Sequence, residues 1–181
     1  INFTFAYPNS KALSKADVKY GKRSSKITTK LRKEIDDAKR NEYQEDLLSG
    51  KANWESFVWL GFDSYKHKSY EHAVEYLLYG LKKRTSLYKG DIPGNPSVAG
   101  NPLDMGFKFW KILSSSLLNK WKISAASGSG LVSASSMKEM IECKKCFEVA
   151  LGYLENASDP NVWSELVDVY IRHGNIKDAN K

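Results

Sequence analysis

Cys143 and Cys146 are the residues best suited to chemistry by type and spacing, standing as C-K-K-C. Such a pair could hold a metal or cycle between thiol and disulfide. A zinc site needs four ligands, and His67, His72 and His173 lie far from the pair with no ligand spacing of their own. A redox pair would open a helix after a strand, whereas this one sits well inside a helical pattern. Residues at i and i+3 share a helix face, so the pair reads as two packing cysteines, and neither metal nor cofactor is expected. Glu34, Asp36 and Asp37 stand among opposite charges and read as a solvated helix face. No nucleophile is paired with a base, so catalysis is not expected. Asn2-Phe3-Thr4 and Asn156-Ala157-Ser158 fit the N-glycosylation pattern, which matters only for a chain in the secretory pathway.

Charge points to binding. The chain of 181 residues carries 28 basic and 21 acidic residues, a net +7. Lys19, Lys22, Arg23, Lys26, Lys30, Arg32 and Lys33 fall within one short segment that holds no acid. The other basic residues balance the acids, so the net charge belongs to this segment alone. A cationic segment suits an anionic partner: RNA, an acidic protein face or an acidic lipid surface. A solvated segment without a partner is the alternative.

The elements around these residues are helical. Apolar residues make up 41% of the chain, enough for a core, and no run is long enough to span a bilayer. Residues 1–25 lack periodicity and read as an extended basic arm. Residues 26–50 read as an N-terminal helix, with Ile27, Leu31, Ile35 and Ala38 at helical spacing and Ser49-Gly50 as its stop. Residues 88–106, rich in Gly and Pro, and 124–136, rich in Ser, Gly and Ala, read as loops.

One pattern then occurs three times. Phe57, Leu60, Gly61 and Ser64 form one helix face, and Tyr70, Ala73, Leu77 and Gly80 form the next. Trp110, Leu113, Ser114 and Leu117 repeat the first spacing; Met140, Cys143, Phe147 and Ala150 repeat the second. Trp163, Leu166, Val167 and Tyr170 give the first face again, and Gly174, Ile176 and Ala179 begin the second. The bulky leaders Phe57, Trp110 and Trp163 are evenly spaced and are expected to be buried anchors. Units of this kind leave an apolar face that only the next unit covers, so they stack. Ser136 with Glu139 reads as a capping box, Asp159-Pro160 as an N-cap followed by a first-turn proline, and Gly174 as a helix end.

These residues resemble the tetratricopeptide repeat, a unit of about 34 residues. Phe57-Val58-Trp59-Leu60-Gly61 with Tyr70 and Ala73 carry the likeness, as do Trp163, Leu166, Tyr170, Gly174 and Ala179. It covers residues 54–87 and 107–181, and Sel1-like repeats are close relatives. The chain departs from the family in the 88–106 connection and the 124–136 insertion. The resemblance implies an all-α fold, with 51–181 forming helix-turn-helix repeats stacked into an α-solenoid. The units lie near 54–87, 107–159 and 160–181. The last stops inside its second helix at Lys181, so the array is expected to continue, and Ile1 in place of Met implies that the start has been removed.

By the same resemblance the first helices of the units line a concave groove. Val58, Phe62, Tyr65, Lys108, Lys111, Ser115, Ser164, Asp168 and Ile171 are its expected residues. Val58 and Phe62 stand where carboxylate-clamp members carry polar residues, so that clamp is not implied. Packing is the alternative role for Phe62 and Tyr65. The function implied is a non-enzymatic protein-interaction scaffold, a subunit or assembly factor of a larger complex. The third unit also resembles a pentatricopeptide repeat, through residues Val162 to Tyr170, His173, Gly174 and Ala179. That family reads single-stranded RNA, and Ser164 would take a base-reading position. The first two units lack its pattern. An intracellular location, mitochondrial in preference to cytoplasmic, follows from the basic arm.

Overall fold

The computed structural model describes residues 15–87, 104–126 and 134–179, with side chains over 28–87, 104–126 and 137–174. Among these residues there are seven helices and no strand. They are α1 (Lys15–Leu48), α2 (Trp54–Lys66), α3 (Tyr70–Ser86), α4 (Phe107–Ala126), α5 (Ala134–Leu151), α6 (Leu154–Ala157) and α7 (Pro160–Ala179). No helix among them is long and apolar enough to cross a membrane. The chain divides into two compact units, residues 1–44 and 45–181.

The first unit differs from the expected extended arm. Residues 1–14 lie outside the described residues, but α1 is already helical at Lys15. The reason is local. Lys and Arg keep their rotamer freedom in a helix and rank among the good helix formers. Apolar periodicity reports burial, so its absence over 15–25 does not argue against a helix. The described part of α1 carries a solvated surface: Leu31 and Ile35 are exposed. Lys30 pairs with Glu34 at 3.8 Å and Arg40 with Asp37 at 2.8 Å. The helix stops where Gly50 takes φ +71, the left-handed conformation that glycine adopts without a Cβ penalty.

In the second unit α2 and α3 form an antiparallel pair. Asn53 caps α2, its Oδ1 accepting from Ser56 N at 2.8 Å. Phe57 stacks on Tyr79 with centroids 5.9 Å apart, and Tyr65 meets Tyr70 edge-on at 5.8 Å. Gly61 permits the close approach: a Cβ there would stand 2.6 Å from Leu77 Cγ. The α4–α5 pair repeats the arrangement. Cys143 Sγ donates to Ser114 O at 3.5 Å, and Lys120 reaches Glu139 at 4.0 Å. Successive helices touch from α2 through α3, α4 and α5 to α7, while α2 also touches α4 and α4 touches α7.

The core has two parts. One gathers Leu77, Phe109, Trp110, Ile112, Leu113 and Ala150. The other gathers Leu118, Met140, Cys143, Phe147, Val162, Leu166 and Val169. The expected faces of α3 and α5 match: Ala73, Leu77 and Gly80 are buried, as are Met140, Cys143, Phe147 and Ala150. On α7 the expected face is displaced by about one position. Val162, Leu166 and Val169 are buried, whereas Trp163 is 48% exposed, with Val167 and Tyr170 exposed beside it. The expected burial of Trp163 is thereby overturned. Its indole Nε1 donates to Ala157 O at 2.8 Å, which holds the ring against the preceding turn instead.

Two local expectations also change. Gly174 does not end a helix, because α7 runs on to Ala179. A helix-interior glycine costs only about 1 kcal/mol, which the length of α7 absorbs. The side chains of Ile176 and Ala179 lie outside the described residues, as do Asn2 and segments 88–103 and 127–133. The α5 helix begins at Ala134, before the expected Ser136 cap. The Asp159-Pro160 start of α7 is present, with Asp159 Oδ1 accepting from Asn161 N at 2.9 Å.

Candidate binding surface on α2, α4 and α7

The α4–α7 seam is polar and parallel. Lys111 Nζ meets Asp159 Oδ2 at 2.6 Å, Ser115 Oγ donates to the Glu165 carboxylate, and Lys122 Nζ meets Asp168 Oδ2 at 2.7 Å. Partners advance together along both helices, which sets the parallel sense. Asp168 Oδ1 also accepts from Arg172 Nε at 2.6 Å, and the Arg172 guanidinium lies 5.3 Å from the Trp121 ring centroid. Burial pushes the Asp168 carboxyl up, but hydrogen bonds from Lys122 and Arg172 outweigh it and hold the carboxyl below its ordinary range. The Lys111 hydrogen bond does the same for Asp159. Lys111, Ser115 and Asp168, read from sequence as groove residues, therefore find their first partners inside the chain. Ser115 is buried.

Val58, Phe62 and Tyr65 come together at the α2 end. All three are half-buried against the core part that contains Phe109 and Leu113. Val58 presses on Gly80, where a Cβ would lie 3.0 Å from its Cγ2. Lys108 is exposed, with its ammonium 4.9 Å from the Phe62 ring centroid. Val58, Phe62, Tyr65 and Lys108 thus make one aromatic, cationic patch. Ser164 is exposed on α7, apart from that patch, and Ile171 is also exposed.

Of the basic segment, Lys30, Arg32 and Lys33 are exposed on α1. Lys19, Lys22, Arg23 and Lys26 lie in the helix, with side chains outside the described residues. The two thiols are free. Burial pushes Cys146 up to about 12, with Glu142 adding to the shift. Cys143 is driven up further, by burial first and then by Cys146 and Glu165. Both stay protonated at neutral pH, which makes them poor nucleophiles. Among the described residues no three His, Cys, Asp or Glu side chains gather as a metal site.

Sequence reading missed a polar cluster at the α4 N-terminus. Tyr153 Oη donates to Asp104 Oδ1 at 2.8 Å, and burial followed by this contact drives the phenol well above its ordinary range. The Trp110 indole N–H lies beside that hydroxyl and works against the shift, without reaching hydrogen-bonding geometry. Asn156 Nδ2 donates to Phe107 O at 2.8 Å and to Ala150 O at 2.9 Å. Asn156 is buried with both amide hydrogens engaged, so the glycosylation pattern here marks a clasp between α6 and α4. Periodicity carries no signal for such a residue, because its partners are backbone carbonyls. Compared with family models, curated proteins and solved structures, the chain matches none.

Proposed function

We propose that residues 51–181 form a tetratricopeptide-like stack of helix pairs that serves as a protein-interaction scaffold in a larger assembly, without catalysis of its own. The observation that carries this reading is the order of contacts. From α2 to α7 each helix touches its successor, and the first helices α2, α4 and α7 touch in a row. Contact limited to near neighbours is what a stack of repeats requires. It leaves the row of first helices as a surface, with the Phe62–Lys108 patch at one end and Ser164 at the other. Lys111, Ser115 and Asp168 support the surface by fixing α7 to α4.

A second reading, an RNA-associated and organellar repeat protein, rests on α1. Because the segment is helical, Lys15, Lys19, Lys22, Lys26, Lys30 and Lys33 recur at the three- and four-residue spacing of helix turns. Such a row matches the regular charge of a phosphate backbone. The mitochondrial preference rests on this same segment.

Photo-crosslinking tests the two readings together. A photoreactive phenylalanine analogue replaces Lys108, Ser164, Glu75 or Lys30, each exposed, and the chain is irradiated in its cell of origin. The scaffold reading expects protein adducts from positions 108 and 164 and none from position 75 on α3. RNA adducts from position 30, with no protein adducts at 108, would favour the second reading.

A further inference from the structure

The α3 helix ends on Lys82-Lys83-Arg84-Thr85-Ser86, and Leu87 follows. Among the described serines and threonines that are exposed, only Ser86 has basic residues both two and three positions before it. Its Oγ donates to Lys83 O at 2.8 Å. Leu87 beside it is 69% exposed. The two preceding cations are engaged elsewhere. Lys83 Nζ donates to Ala52 O and lies 5.7 Å from the Phe57 ring centroid. The Arg84 guanidinium lies 4.5 Å from the Trp54 ring centroid, and its Nη1 donates to Met105 Sδ at 3.6 Å. These contacts form a clamp that ties the end of α3 to the start of α2 and to Met105 ahead of α4.

A protein kinase with an acidic substrate cleft selects a hydroxyl by the cations that precede it, through charge complementarity. Lys83 and Arg84 stand three and two residues before Ser86, and Leu87 sets an apolar side chain just after it. We infer that Ser86 is phosphorylated by a kinase of this basophilic class, and that the phosphate opens the clamp. In the transfer Ser86 Oγ attacks the γ-phosphorus of ATP. The Oγ–phosphorus bond forms, the bond from that phosphorus to the bridging oxygen breaks, ADP leaves, and the hydroxyl proton passes to a base of the kinase. A kinase reads its substrate as extended chain, so the last turn of α3 must first open. Helix ends fray most readily, and here Leu87 N donates to Arg84 O at 3.2 Å, the long limit for such a bond. Once added, the phosphate holds the turn open. It takes the place of the hydroxyl proton that Lys83 O accepts. It sets a charge of about −1.5 to −2 beside the last carbonyls of α3, where the negative end of the helix dipole repels it. It also attracts the ammonium groups of Lys82 and Lys83, one turn back, and draws Lys83 away from Ala52 O and the Phe57 ring. The site does not depend on the stacked-helix reading.

Fragment mass spectrometry reads the site directly. The chain recovered from its cells of origin with phosphatases blocked should carry phosphate on Ser86, and its absence there overturns the inference. Incubated with ATP, magnesium and the catalytic subunit of cyclic-AMP-dependent protein kinase, which is of the basophilic class, the purified chain should gain phosphate at Ser86. Replacing both cations, Lys83→Ala with Arg84→Ala, should slow that gain by about tenfold or more. Any unfolding caused by the double change would expose Ser86 further, so a slower gain reports lost recognition. An undiminished rate rejects the basophilic assignment. Hydrogen exchange then tests the clamp. In the phosphorylated chain the amides over 84–87 and at the start of α2 should exchange faster, while those of α5 and α7 hold. Ser86→Ala treated with the same kinase should show no such change, which sets aside phosphate at other positions as the cause. Exchange unchanged at both places in the chain phosphorylated on Ser86 overturns the release of the clamp.

Discussion

The helices α4 and α7 carry the same pattern to different ends. Trp110 of α4 is 6% exposed and Trp163 of α7 is 48% exposed, although each leads its copy of the sequence pattern. The difference lies in the neighbours. The α4 helix touches α2, α3, α5, α6 and α7. The α7 helix touches α4, α5 and α6, and turns Val162, Leu166 and Val169 toward them. A repeated spacing therefore marks the residues that can be covered, while the elements present decide which of them are. The same tryptophan is a core anchor in one helix and an open surface in the other.

The sharpest way to break this comparison is to truncate both rings. Trp110→Ala should destabilise the chain by about 3–5 kcal/mol, the range for deleting a large aromatic from a packed core. Trp163→Ala should cost about 1 kcal/mol, since roughly half the ring is already in water and the loss is partial burial plus one hydrogen bond. Urea denaturation followed by circular dichroism reads both. Equal shifts in midpoint would show that the two helices are equally enclosed.

Glycines give the next contrast. At Gly61 a Cβ would meet Leu77 Cγ at 2.6 Å, and the Ala73 carbonyl leaves it little room. Gly61→Ala should destabilise by about 1–3 kcal/mol through overpacking, and adding Leu77→Ala should make the pair less costly than the sum of the single changes. At Gly174 a Cβ would meet nothing within 4 Å. Gly174→Ala should raise stability by about 0.5–1 kcal/mol, because alanine loses less freedom in a helix. Thermal melts of the four variants, the Gly61→Ala and Leu77→Ala single changes, their double and Gly174→Ala, check the signs. A stabilising Gly61→Ala would show that α2 and α3 do not approach so closely.

What the sequence reveals follows the same division. The buried faces of α3 and α5 are legible because small and large apolar residues alternate there at helical spacing, and nothing polar competes for the positions. The face of α7 is not, because Trp163 is the largest apolar candidate in its turn and pattern alone gives it the core. The start of α1 is hidden, since a Lys-rich helix lacks the apolar period that sequence reading relies on. Half of the candidate surface is legible as well. Phe62, Tyr65 and Lys108 do converge, but the ties from Lys111 to Asp159, Ser115 to Glu165 and Lys122 to Asp168 join residues far apart in sequence. Charged residues at ordinary helix positions look solvated until the facing helix is known.

Those ties make the smallest of the expected effects and the most specific one. The α7 helix is held to α4 along a polar seam, whereas α4 is held to α5 largely by apolar packing. Asp168 keeps its carboxyl below the ordinary value of 3.8, because Lys122 and Arg172 outweigh its burial. A carboxyl depressed in the folded chain contributes stability above its unfolded value. That contribution is lost as pH falls through the folded value, when both states are protonated. Asp168→Asn should therefore lower the melting midpoint near neutral pH and across the mildly acidic range. The gap from the wild type should begin to close below about pH 4 and vanish at still lower pH. Added salt should narrow the gap at neutral pH only in part, because the pair is partly shielded from solvent. Melting midpoints of both proteins from about pH 2 to pH 7 supply the measurement. A gap of constant size down to the lowest pH would mean that the shape of the Asp168 side chain, rather than its charge, holds α7 in place, and the contrast between a polar and an apolar seam would fall.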